Sequence, residues 1–192
     1  MSETKKTNLA DLSGKSNIYI TPPKLADPVR AFFPGGLIPL DPATEPNNPL
    51  NAVAFCTGSD DDPDSLGDGL ILPWSDYDGT FVNPPFSGGG MRHWCAKIHE
   101  ETVLGATILA LLPCGARFAT KYWQEHIFNS GLDVALFVRG RVPFLRPDGS
   151  GTTGQNPYDS QLLGFNVDVG RFVECFAHLG SILRMEVIGR DG

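Results

Sequence analysis

Basic residues are scarce in this chain: 15 Lys and Arg stand against 22 Asp and Glu, a formal net charge of -7 with a pI near 5.0. That balance is not the electrostatic footprint of a strong non-specific nucleic-acid binder. Cysteine is sparse too. Cys56, Cys95, Cys114 and Cys175 lie far apart with no CxxC pair, which argues against a zinc ribbon or a disulfide framework and for a reducing compartment. No apolar run reaches the roughly 20 residues a bilayer requires, and the opening MSETKKTNLADLSGKSN lacks the apolar centre of a signal peptide. A soluble cytoplasmic protein is expected, with residues 1–17 as a mobile tail and 18–192 as one domain.

What is present is an ordinary apolar content of 41%, enough for a packed core, punctuated by 22 glycines and 16 prolines. Short apolar runs alternate with helix-period segments. KLADPVRAFF reads as a broken helix, GLIPLD as a buried strand, NPLNAVAF as a short helix and GTFV as a strand. SGGGMRHWCAKIHEETV reads as a helix with Met91, Trp94, Cys95 and Ile98 near one face. The apolar run ATILALLP, a helix through ATKYWQEHIFN and the strand DVALFV follow, and after a break come QLLGFNV, the helix-like GRFVECFAHLG and a terminal strand in SILRMEVI. This alternation predicts an α/β fold with a largely parallel sheet flanked by helices. The break, GRVPFLRPDGSGTTGQNPYDS at 140–160, is turn chemistry throughout, and a loop of that length in a compact domain is usually functional or disordered.

One stretch concentrates conformational restriction: GTFV runs into Asn83, Pro84, Pro85 and Phe86, then into glycines. Ligands in open α/β sheets sit beyond the carboxyl ends of strands, where this turn falls. Two prolines fix their own φ, donate no backbone N-H and force the preceding residues to be extended, so Asn83 projects from a rigid turn. An amide oxygen and a backbone carbonyl converging on one point suit a primary amine with two N-H donors. Phe86 adds a flat face for a planar heterocycle. Together they describe a holder for an exocyclic amino group on an aromatic ring.

An Asn-Pro-Pro-aromatic run after a strand resembles the catalytic motif of amino-group methyltransferases that use S-adenosylmethionine. A wider resemblance spans about residues 18 to 165 and is to the phage and prophage DNA N6-adenine methyltransferases, the Dam-like family. It rests on TPP at Thr21 and Pro22; LDPAT with Asp41, Pro42 and Ala43; Thr57 ahead of Asp68, Gly69, Leu70 and Trp74; NPPF; the helix with Trp94; LALLPCG; and RGRVPF with Arg141 and Phe144. The chain departs from the pattern in having no FxGxG loop and in the inserted SDDDPDSLG, whose Asp60, Asp61 and Asp62 read as solvated loop charges.

The resemblance implies a Rossmann-like S-adenosylmethionine-dependent methyltransferase acting on N6 of adenine in double-stranded DNA, in a bacterial cytoplasm. Asn83 and the Pro84 carbonyl would hold the amine in a turn stiffened by Pro85, with Phe86 stacking on the flipped base. Thr21, Pro22, Asp41, Pro42, Ala43 and Asp68 would serve the cofactor. Apart from the resemblance, a glycine-rich loop at 140–160 flanked by Arg139, Arg141 and Arg146 could enter a groove and touch phosphates, with NPYDS at 156–160 adding polar contacts, against the alternative of a solvated surface loop.

His93, Cys95 and His99 are close in sequence, but a helix carrying Trp94 suits partial burial better than coordination, and no metal is expected. Trp74, Trp94 and Trp123 are expected to pack rather than to serve as base platforms. Cytosine N4, an RNA base or a protein glutamine remain possible acceptors, and a non-catalytic α/β binding module is the rival outside enzymology.

Overall fold

The computed structural model describes residues 19–59, 61–86, 90–146, 151–152 and 158–186. The stretch read above as a tail, Asp60, the residues 87–89 after the NPPF turn and Asn156 and Pro157 of NPYDS lie outside them.

Helix α1, Pro23–Phe32, opens with a proline, whose preset φ suits the first helical turn, and buries Leu25, Ala26, Val29 and Phe32. Pro28 lies inside it without ending it, so the expected break is absent. The chain continues through β1 (Leu40–Asp41), β2 (Ala54–Phe55), β3 (Thr80–Val82), α2 (Met91–Val103), β4 (Ile108–Pro113), α3 (Lys121–His126), β5 (Leu132–Val138), β6 (Ser160–Phe165), α4 (Val169–Phe176) and β7 (Gly180–Arg184). Every residue of β3, β4 and β6 is buried, so both faces of the central sheet are covered. The helices pack in pairs, α1 with α4 and α2 with α3. Arg171 of α4 donates to the carbonyls of Ala31 and Phe32, satisfying acceptors that the end of α1 leaves open.

The sheet order is β2-β1-β3-β4-β6-β5-β7. It is mixed, not largely parallel: β1 pairs in parallel with β2 and β3, and β3 with β4, but β6 is antiparallel to β4 and β5, and β7 to β5. The reason lies in the 140–160 segment. It joins β5 to the neighbouring, antiparallel β6, so the two strands pair as the arms of a long hairpin.

NPLNAVAF is not a helix. Asn48 and Asn51 take positive φ (42° and 52°), and the Asn48 side chain both accepts from the Ala52 N-H and donates to the Ala52 carbonyl. This local side-chain bonding competes with the helix ladder and wins, leaving Ala54 and Phe55 to pair with β1. GLIPLD contributes only Leu40 and Asp41 to a strand.

Candidate functional site at the carboxyl ends of β1 and β3

From β1 the chain passes to β2 on one side of the sheet, whereas from β3 it passes to β4 on the other. The neighbouring strands β1 and β3 therefore flank a point where the direction of winding reverses, and crevices at such points are the usual ligand sites of α/β sheets. Asp41 ends β1 and Asn83 follows β3. Leu40 is opposite Thr80, so Asp41 and Phe81 share the other face, and Asn83, two residues beyond Phe81, returns to the Asp41 side.

The Asn83 amide is held from one end. Its Nδ2 donates to the Tyr19 carbonyl at 3.0 Å and to the buried Thr21 hydroxyl at 3.2 Å. A carbonyl only accepts, so the nitrogen must face Tyr19, and the opposite end is Oδ1. That Oδ1 is buried and has no hydrogen-bond partner among the described residues. Buried acceptors are nearly always satisfied, so an orphan on a rigid turn marks a place for a donor. Pro84 is buried and Pro85 exposed, with Pro22 buried beside Thr21 at the entrance to α1.

Phe86 is 5% exposed, not an open platform. The Tyr19 ring lies over it, centroids 6.5 Å apart at 28°, and Phe144 meets its edge at 6.1 Å and 86°. Tyr19 and Phe144 touch at 5.6 Å. Backbone bonds in both directions between Ile20 and Leu145 clip the segment after β5 to the strand entering the Thr21 turn. Sequence reasoning missed Tyr19 as a lid on Phe86, since nothing in local spacing pairs residues so far apart.

Asp41 is 3% exposed, and burial pushes its carboxyl up from an ordinary 3.8 to about 7, against the Ala43 N-H (3.2 Å) and the Thr44 side chain, which pull it down. Cys56 lies close by. Burial, with the charges of Asp41 and Asp68, pushes its thiol up to about 11. Asp68 is exposed and its Oδ1 accepts from the Leu70 N-H at 2.9 Å, so its side chain shapes the turn at 68–72. That turn packs on the Pro42 turn at Gly69, where an added Cβ would stand 1.9 Å from the Pro42 carbonyl oxygen. The structure thus brings Asp41, Pro42, Ala43 and Asp68 into one neighbourhood, with Thr21 and Pro22 on the Asn83 side.

Beneath the same turn lies a residue that sequence reasoning did not single out. Glu101 of α2, 1% exposed, accepts from the N-H groups of Trp74 and Ser75 at 2.8 and 2.9 Å and pairs with Lys97 at 2.6 Å. Trp74 donates from its indole to the Gly69 carbonyl and stacks on Trp94. Trp74, Trp94 and Trp123 are all buried, so they pack.

Strands β4 and β5 are both antiparallel to β6 and hence run the same way. Arg139 and Arg141 therefore leave the sheet at the edge where Asn83 stands. Arg139, Arg141 and Arg146 are all exposed, and Arg141 approaches Asp159 at 3.7 Å. Among the described residues no three His, Cys, Asp or Glu side chains are placed to hold a metal ion, and no helix is long and apolar enough to cross a membrane. No protein-family model, curated protein or solved structure matches the chain.

Proposed function

We propose that this chain is an S-adenosylmethionine-dependent methyltransferase of Rossmann-like fold that modifies the N6 amino group of adenine in double-stranded DNA. The observation that carries the reading is the buried Oδ1 of Asn83, without a partner among the described residues, on a diproline turn at a winding reversal of the sheet.

The cofactor fits the residues present. Asp41 is a deeply buried carboxylate with few donors, raised by desolvation, and such a group calls for a cation or a multiple N-H donor. Asp41, with the Pro42-Ala43 turn and Asp68 beside it, would hold the cofactor's amino and hydroxyl groups, and Thr21 and Pro22 would line the Asn83 side. When bound, S-adenosylmethionine supplies an electrophilic methyl group on a cationic sulfonium.

The chain supplies orientation. Asn83 Oδ1 and the Pro84 carbonyl accept the two N-H bonds of the amine, which draws the nitrogen lone pair out of conjugation with the ring and aims it. Phe86 stacks on the base, and Tyr19 swings aside or closes over it, excluding water. Extrusion of the base from the duplex costs about a few kcal/mol. Arg139, Arg141 and Arg146 repay part of that cost on phosphates at the same edge of the sheet.

The test is incubation of the purified protein with methyl-labelled S-adenosylmethionine and unmethylated duplex DNA of mixed sequence, followed by digestion to nucleosides. Labelled N6-methyladenine, absent with Asn83→Ala, is the expected result. Cofactor binding without label in DNA would move the acceptor to RNA or a protein amide, and no cofactor binding would overturn the reading.

A further inference from the structure

Arg117 lies in the 3-10 turn Ala116–Ala119 that follows β4, half-buried, and its guanidinium meets three groups from three parts of the chain. Nη2 donates to the Phe86 carbonyl at 3.0 Å, Nη1 donates to the Tyr122 hydroxyl at 3.3 Å, and Cζ stands 5.5 Å from the centre of the Tyr158 ring. The Phe86 carbonyl is where the NPPF turn ends. Tyr158, 43% exposed, lies on the returning arm of the segment that contains Arg141 and Arg146. Its neighbour Asp159 accepts from the Cys114 N-H at 2.7 Å through its carbonyl and approaches Arg141 through its carboxylate.

We infer that Arg117 is a positioning residue that couples the Phe86 turn to the exposed segment at 158–159, so that the turn is set for its base when that segment is in place. The inference rests on the methyltransferase reading for its purpose, though not for its geometry. A planar guanidinium can donate in plane to two oxygens while presenting its face to a ring, and an ammonium cannot do all three. The bond to Phe86 is charge-assisted and the ring contact adds a cation-π attraction, so the two ends reinforce each other through one rigid group. The Arg141–Asp159 pair is exposed at both ends and therefore weak. A DNA phosphate can take Arg141 from it, and the segment so altered is the one that touches Arg117.

The carbon-13 chemical shift of the Phe86 carbonyl, the group that Arg117 bonds, followed by NMR on the full chain, tests the coupling in the wild type, Arg117→Lys, Tyr158→Leu and the double variant. Both single variants should move it upfield, as weakening a hydrogen bond to a carbonyl does, and the double variant no further than the stronger single one. On duplex DNA both should lower kcat about tenfold with the cofactor KM unchanged. Tyr158→Leu leaving the Phe86 carbonyl shift at its wild-type value, or shifts that add in the double variant, would overturn the inference. Tyr158 is exposed, so Tyr158→Leu is expected to fold even if changes at Arg117 do not. A wild type without methyl transfer to any acceptor would sink the enzymatic reading alone, because the carbonyl shifts still decide the coupling.

Discussion

The side-chain amide of Asn83 donates to the carbonyl of Tyr19 at 3.0 Å, and this contact turns Oδ1, which has no partner among the described residues, to the opposite end of the amide. On the methyltransferase reading proposed above, Asn83→Ala should lower kcat on DNA by about 10²- to 10³-fold, the usual loss when one preorganised polar contact to a reacting group is removed. Cofactor affinity should change little. Asn83→Asp should fare no better, since a carboxylate cannot donate to Tyr19 and would face its carbonyl. Steady-state kinetics with cofactor titration separates the two effects.

Asp41 predicts a pH signature. Its folded-state pKa of about 7 lies above the ordinary 3.8, so between those values the folded protein binds more protons than the unfolded one. Its contribution to stability is then greatest below pH 3.8 and is lost as pH rises towards 7. Relative to Asp41→Asn, the cofactor-free protein should show a Tm that falls across that window. An N-H-donating cofactor prefers the ionised carboxylate, so its affinity should rise over the same range in the wild type and stay flat in Asp41→Asn. Thermal melts and calorimetry at matched pH check both.

Gly69→Ala tests the contact between the two turns beside Asp41. The new methyl would stand 1.9 Å from the Pro42 carbonyl oxygen, so backbone must move. A loss of about 1–3 kcal/mol or more in urea unfolding is expected, as for overpacking generally. Weaker cofactor binding should accompany it, because the Pro42 turn carries Ala43, whose N-H holds Asp41.

Lys97→Met should destabilise the fold by about 3–5 kcal/mol, because it leaves the Glu101 carboxylate buried without its countercharge. Lys97→Met combined with Glu101→Gln should recover part of that loss, since a neutral amide can still accept from the Trp74 and Ser75 N-H groups. Denaturant unfolding of the two variants provides the comparison.

Much of the fold was legible from periodicity. The helices around Trp94 and Phe172 and the strands around Leu111, Leu136 and Leu163 follow runs long enough for local pattern to decide. Where the expectation failed, a local bond or a remote partner outweighed pattern. Asn48 captured Ala52 through its side chain and diverted a segment expected to be helical, and the long hairpin between β5 and β6 turned half the sheet antiparallel.

The sequence by itself determined that Asn83 stands on a rigid turn after a strand, because proline's fixed φ and missing N-H act within a few residues whatever the rest of the chain does. Only the tertiary structure decided which atoms of that turn are left over. Tyr19 reaches Asn83 across 64 residues and lies over Phe86, and Arg117 reaches the Phe86 carbonyl across 31. Such contacts come from the order in which strands pair and the edge at which loops leave the sheet, and these are properties of the whole chain that no local spacing encodes.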